Sequence, residues 1–91
     1  MIFEILWTPT AQEHLQYWQK NNTNKIDKIR RLCKDIANHP TTGLGKPEHL
    51  KYLENNTLEN NIWSRRIDQE HRFVYQIKNK QVFIVQARYH Y

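Results

Sequence analysis

The sequence predicts an α+β domain in which two short helices pack on one face of a mainly antiparallel sheet. Three observations lead there. An apolar segment of strand length, Met1 to Trp7, opens the chain. A stripe at spacings of three and four follows (Ile26, Ile29, Leu32, Cys33, Ile36, Ala37), which is the signature of an amphipathic helix. Three segments rich in β-branched and aromatic residues then close the chain, separated by polar turns.

In order, Thr8-Pro9-Thr10 supplies an N-cap hydroxyl and a first-turn proline, and Thr10 with Glu13 has capping-box spacing. Ala11, Leu15 and Trp18 then fall on one helical face. Asn21–Asn24 breaks that helix, and Thr23 or Asn24 caps the next, which Pro40 ends. Two short helices joined this way are expected as an antiparallel hairpin. Residues 41–52 hold both glycines and Pro47 and read as loop, and the Asn-rich residues 54–61 read as an exposed excursion. Strands are expected over 62–67, 71–77 and 82–89, with a tight turn over Lys78–Gln81 in which Asn79 takes positive φ.

Ninety-one residues accommodate one domain, residues 1–91. The formal charge of +5 and the pI near 9.5 favour a polyanionic partner. Apolar residues are only 38% of the chain, yet three Trp, five Tyr and three Phe can supply a small core. A single cysteine, Cys33, gives no intramolecular disulfide, and no apolar run reaches the roughly 20 residues of a membrane helix. Two glycines leave no phosphate-cradling loop, and the five histidines lack metal-ligand spacing. A cytoplasmic protein without membrane, metal or cofactor is the expectation.

Side-chain alternation places Arg72, Val74 and Gln76 on one side of their strand and Phe73, Tyr75 and Ile77 on the other. In the last strand Val82, Ile84, Gln86, Arg88 and His90 share a side, opposite Phe83, Val85, Ala87 and Tyr89. With the aromatic sides turned to the helices, the free face gathers Arg72, Arg88 and His90, a cationic surface suited to a phosphodiester. The bland alternative for these residues is a solvated strand face. Cys33, inside the helical stripe, reads as core.

Four segments in order carry a resemblance: Gly45-Lys46-Pro47-Glu48-His49-Leu50-Lys51, Trp63-Ser64-Arg65-Arg66-Ile67, Glu70-His71-Arg72-Phe73-Val74-Tyr75 and Arg88-Tyr89-His90-Tyr91. With Trp7 and Tyr17-Trp18, they resemble the Txe/YoeB toxin type of the RelE superfamily of bacterial mRNA interferases. The resemblance implies a RelE-like fold and metal-independent cleavage of mRNA in the ribosomal A site, with the neighbouring 2′-OH as nucleophile. It implies Glu48 as general base, Arg72 as the phosphate-holding arginine, His90 as general acid and Tyr91 as an orienting residue. It implies Lys51 and one or both of Arg65 and Arg66 as RNA-binding positions, to which the strand alternation adds Arg88. It further implies an acidic, partly disordered antitoxin of YefM/Phd type, ribosome and mRNA as partners, and a toxin homodimer. The connection from Lys51 to Trp63 is longer than is usual for the family, and Asn60-Asn61 stands where a glycine is common.

The chemistry supports these roles independently. In-line attack needs a base for the 2′-OH and an acid for the departing 5′-oxygen, and imidazole, with an ordinary pKa of about 6.5, suits the latter. A planar, permanently charged guanidinium suits the charge that develops on phosphate oxygens. Two alternatives belong to other classes: a non-catalytic RNA- or DNA-binding module, and a gyrase-targeting toxin on the same scaffold.

Overall fold

The computed structural model describes residues 2–51 and 61–89. The chain runs β1 (Glu4–Trp7), α1 (Pro9–Asn21), α2 (Asn24–Asn38), β2 (Glu48–His49), β3 (Asn61–Arg66), β4 (Arg72–Lys78) and β5 (Gln81–Gln86). The strands make one sheet in the order β1-β5-β4-β3-β2. β1 runs parallel to β5, and the other pairs are antiparallel. Apart from Asn61, the Asn-rich 54–61 excursion lies outside the described residues.

Helix α1 starts where its proline can be tolerated. Thr8 is extended (ψ 159°), its hydroxyl oxygen accepts from the Ala11 N–H at 3.3 Å, and Pro9 occupies the first turn. The same hydroxyl donates to the Ile84 carbonyl at 2.8 Å and ties the helix start to β5. Because the helix has already begun at Pro9, the Thr10–Glu13 capping box does not form. Thr23 stands at the start of α2 without a side-chain cap; Asn22 does that work, its Oδ1 accepting from the Asn24 N–H at 3.2 Å. Only Asn22 and Thr23 join the two helices.

The predicted stripe faces inward: Ile26, Ile29, Leu32 and Ile36 are buried with Ala11 and Trp18 of α1 against Phe73, Tyr75, Val82 and Ile84 of the sheet. Each such aliphatic side chain contributes about 1.5–3 kcal/mol of burial. The last strand departs from expectation. Val82 and Ile84 lie opposite Ile77 and Tyr75 and therefore share their core-facing side, while Val85 is exposed. A bulge at Val74/Tyr75 then advances β5 by one residue, so that Gln86 pairs with Val74 and Ala87 returns to the core. β5 ends at Gln86, not Tyr89. The β4–β5 turn has both Asn79 (φ 53°) and Lys80 (φ 64°) left-handed, as a type I′ hairpin requires.

A second difference lies in the expected loop. Glu48 and His49 pair with Ser64 and Trp63 as an edge strand, too short to leave a periodic signal. The lead-in is held by the Arg66 N–H donating to the Gly45 carbonyl at 2.7 Å. Gly45 has φ 77°, and a Cβ there would stand 3.0 Å from the Arg66 carbonyl oxygen and 3.0 Å from the Leu32 side chain, so glycine is required.

Arg65 corrects another expectation. It is fully buried between sheet and helices, not available to RNA. Its Nε donates to the Tyr75 hydroxyl at 3.0 Å; NH1 bonds the Asp35 carboxylate and the Leu44 carbonyl; NH2 bonds the carbonyls of His39 and Thr42. The Tyr75 hydroxyl in turn donates to the Pro40 carbonyl at 2.7 Å. Partial burial raises the Asp35 pKa, but the hydrogen bonds from Arg65 and the Leu44 N–H, with the guanidinium charge, outweigh it and hold the carboxyl below its ordinary range.

Replacing Arg65 by Ala strands a carboxylate and several carbonyls, and is expected to cost about 3–5 kcal/mol in urea unfolding. A loss within the ~1 kcal/mol of a surface ion pair contradicts the arrangement.

Candidate active site

Register brings the site together. Glu48, Ser64, Val74 and Gln86 lie directly opposite one another across β2, β3, β4 and β5, and Arg66 lies opposite Arg72 two positions along. Directly opposed residues project from the same face, here the one away from the helices. Lys46, Pro47, Glu48, Ser64, Arg66 and Arg72 line a cleft of about 300 Å³ there. One carboxylate and three cations thus share a concavity on a rigid sheet.

Arg72 is set by the turn before it. The Asp68 carboxylate accepts from the N–H groups of Glu70 (2.8 Å) and His71 (2.6 Å), shaping residues 68–71 into a turn. Carbonyls of that turn accept from Arg72 NH1, at 3.1 Å for Asp68, 3.4 Å for Gln69 and 3.3 Å for His71. Lys25 at the start of α2 pairs with Asp68 at 2.8 Å. Burial alone raises the Asp68 pKa, but the Lys25 hydrogen bond, the two N–H donors and the Lys25 charge bring it down to about 2.

The C-terminal segment meets the same end of the cleft. The Arg72 N–H donates to the Tyr89 carbonyl at 2.9 Å, and the Gln86 amide donates to the carbonyls of Arg88 (2.6 Å) and Tyr89 (3.3 Å). Tyr89, the last described residue, has φ 71°, unusual for an aromatic residue. His90 and Tyr91 lie outside the described residues.

Glu48, Arg66 and Arg72 of the sequence-derived set share the cleft. Lys51 is exposed beyond β2 and is not among the lining residues. Arg88 is a correction: its guanidinium carbon sits 3.3 Å from the Tyr17 ring centroid and 4.4 Å from that of Tyr89, so it packs on α1 instead of beside Arg72. Sequence reasoning missed Ser64 and left Lys46 as a mere neighbour of Glu48. Ser64 had a signal, since it stands two residues before Arg66 and alternation puts both on one face. The return of Gln86 to that face depends on the bulge, which has no local signature.

A small α+β protein with a basic cleft containing a carboxylate is the class that fold and site define. The model of the YoeB-like toxin of bacterial type II toxin-antitoxin systems matches residues 7–91. Toxin YoeB of Streptomyces coelicolor is 44% identical over 87 residues, 96% of this chain and 98% of that protein. The YoeB dimer from Staphylococcus aureus superposes with a TM-score of 0.84 at 37% identity, covering all of both chains. A heterotetrameric YoeB-YefM toxin-antitoxin complex from the same organism gives 0.78 at 34% identity, again with full coverage. The chain therefore belongs to the YoeB toxin family of type II toxin–antitoxin systems, and its fold is RelE-like.

The depressed Asp68 makes acid stability a reporter of the turn that holds Arg72. A carboxylate with a lowered folded-state pKa contributes stability that is full above the unfolded value, near 4, and is lost as pH falls through about 2. The Asp68→Asn variant is expected to be less stable at pH 7 and to lose less between pH 4 and pH 2 than the parent, by thermal unfolding. Parallel stability–pH curves for the two proteins contradict the assignment.

Proposed function

We propose that the chain is a ribosome-dependent endoribonuclease that cuts mRNA in the A site by metal-independent acid–base catalysis. The observation that carries this reading is the shared cleft of Glu48 and Arg72, flanked by Lys46 and Arg66, in a chain of the YoeB family. Glu48 takes the proton of the 2′-OH, whose oxygen attacks the adjacent phosphorus. Arg72, held by the turn carbonyls, meets the charge on the nonbridging oxygens. His90 protonates the departing 5′-oxygen, and Tyr91 orients the tail. Lys46 and Arg66, with Lys51 outside the cleft, contact neighbouring phosphates and leave the bases to the ribosome.

Activity of this kind requires restraint in the cell. The similar S. aureus structures are a YoeB dimer and a heterotetrameric YoeB-YefM complex. A cognate antitoxin with an acidic, partly disordered segment suits this +5 chain, and a toxin homodimer is the assembly proposed alongside it. One domain over 1–91 and a cytoplasmic location, where ribosomes and message meet, complete the reading. Among the described residues no helix is long and apolar enough to cross a membrane.

With purified ribosomes programmed with mRNA, the wild-type protein is expected to cut within the A-site codon. Glu48→Gln and His90→Gln should each lower the single-turnover rate roughly 10²–10⁴-fold. The rate should follow a bell-shaped pH profile. Intact message with folded wild-type protein overturns the reading in favour of a non-catalytic binding module. Removal of Tyr91 is expected to slow cutting without changing the melting temperature, and an unchanged rate removes that residue from the site.

A further inference from the structure

Beyond Gln86 the chain leaves the regular ladder, and side chains join the Arg72 N–H, which donates to the Tyr89 carbonyl, as its hydrogen-bond partners. The Ala87 N–H donates to His14 Nδ1 at 3.1 Å, and its carbonyl accepts from the Trp18 indole at 2.7 Å. The Tyr89 N–H donates to His71 Nδ1 at 2.8 Å. Arg88 between them is packed on Tyr17, its Nε buried without a partner among the described residues. At Tyr89 an imidazole thus does what a backbone carbonyl does within the sheet.

This use of histidine specifies a protonation state. A ring that accepts at Nδ1 carries its proton at Nε2. In His71 that Nε2 lies 3.8 Å from the Glu70 carboxylate, and the Trp18 ring packs edge-on at 4.9 Å. His14 is kept neutral for the same role. Burial, then the Arg88 charge, lower its pKa below 6.5 against a smaller opposing effect of Glu13. The ring of Tyr89 packs edge-on against His14 at 5.4 Å.

We propose that His71 is a positioning residue: by accepting the Tyr89 N–H it fixes the backbone of Tyr89, the residue that leads into the His90-Tyr91 pair on which the nuclease reading draws. The Tyr89 carbonyl is fixed by the Arg72 N–H and its N–H by His71 just before β4, so two consecutive residues grip both backbone groups of Tyr89. The left-handed backbone of Tyr89 costs free energy and persists because these bonds over-determine it. His14 and Trp18 hold the preceding turn of the tail. The catalytic consequence rests on the nuclease reading above; the hydrogen bond itself does not.

Two measurements test the proposal. The first is a ¹⁵N–¹⁵N coupling across the hydrogen bond between the Tyr89 amide and His71 Nδ1 in the wild-type protein. It is expected to be present, and its absence at neutral pH overturns the proposal. The second compares His71→Phe, which keeps a ring against Trp18 but has no acceptor, with His71→Asn, whose Oδ1 occupies the place of Nδ1. In the ribosome assay the Phe variant should lose about 10²-fold in kcat at little change in KM, as displacement of a catalytic group by about 1 Å produces. The Asn variant should recover most of that loss. Equal rates for the two variants, or a Phe variant as fast as wild type, overturn the positioning role. If wild-type protein shows the coupling but cuts no message, the nuclease reading fails and the clamp stands.

Discussion

The structure depends on one buried guanidinium. Arg65 stands where a strand should offer the core an apolar side chain, and it is tolerated because its N–H groups reach the Tyr75 hydroxyl, the Asp35 carboxylate and carbonyls of His39, Thr42 and Leu44. A buried charge without such partners is costly. Here the cost is offset by turning an otherwise irregular stretch, residues 39–44, into a defined path from the end of α2 to the sheet edge. That path delivers Lys46 and Glu48 beside Ser64 and Arg66.

The neighbouring arginines of β3 therefore divide structure from chemistry. Alternation sends Arg65 to the helices and Arg66 to the open face, where it stands across from Arg72. Arg72 repeats the strategy in a milder form: its NH1 is tied to three turn carbonyls, and the turn is tied through Asp68 to Lys25 of α2. Both sides of the cleft are braced by polar contacts to α2 or its C-terminal end. This gives fixed cations on a rigid surface, the arrangement that stabilises developing charge without reorganisation.

Much of this was legible in the sequence. The α2 stripe, the Thr8-Pro9 helix start and the Asn79 turn each follow from local rules and appear as read. Glu48 and Arg72 were singled out by the family resemblance, and both line one cleft. What could not be read depends on partners distant in the chain. The inward turn of Arg65 is decided by Asp35, thirty residues away. The facing of Val82 and Ile84 is decided by pairing with Tyr75 and Ile77, and the exit of the tail by a bulge. Arg88 looked like a phosphate ligand because alternation was carried past the point where β5 stops; Tyr17 of α1 claims it instead.

In the proposed reaction the cleft directs a ribose hydroxyl onto its own phosphodiester. The chemical nature of the new ends on cleaved message tests it most directly. Attack by the 2′-oxygen with departure of the 5′-oxygen leaves a 2′,3′-cyclic phosphate on the upstream fragment and a 5′-hydroxyl on the downstream one. A 2′-deoxy nucleotide at that position should leave the message whole. A 3′-hydroxyl on the upstream fragment with a 5′-phosphate on the downstream one, or cutting of the 2′-deoxy message, contradicts the account.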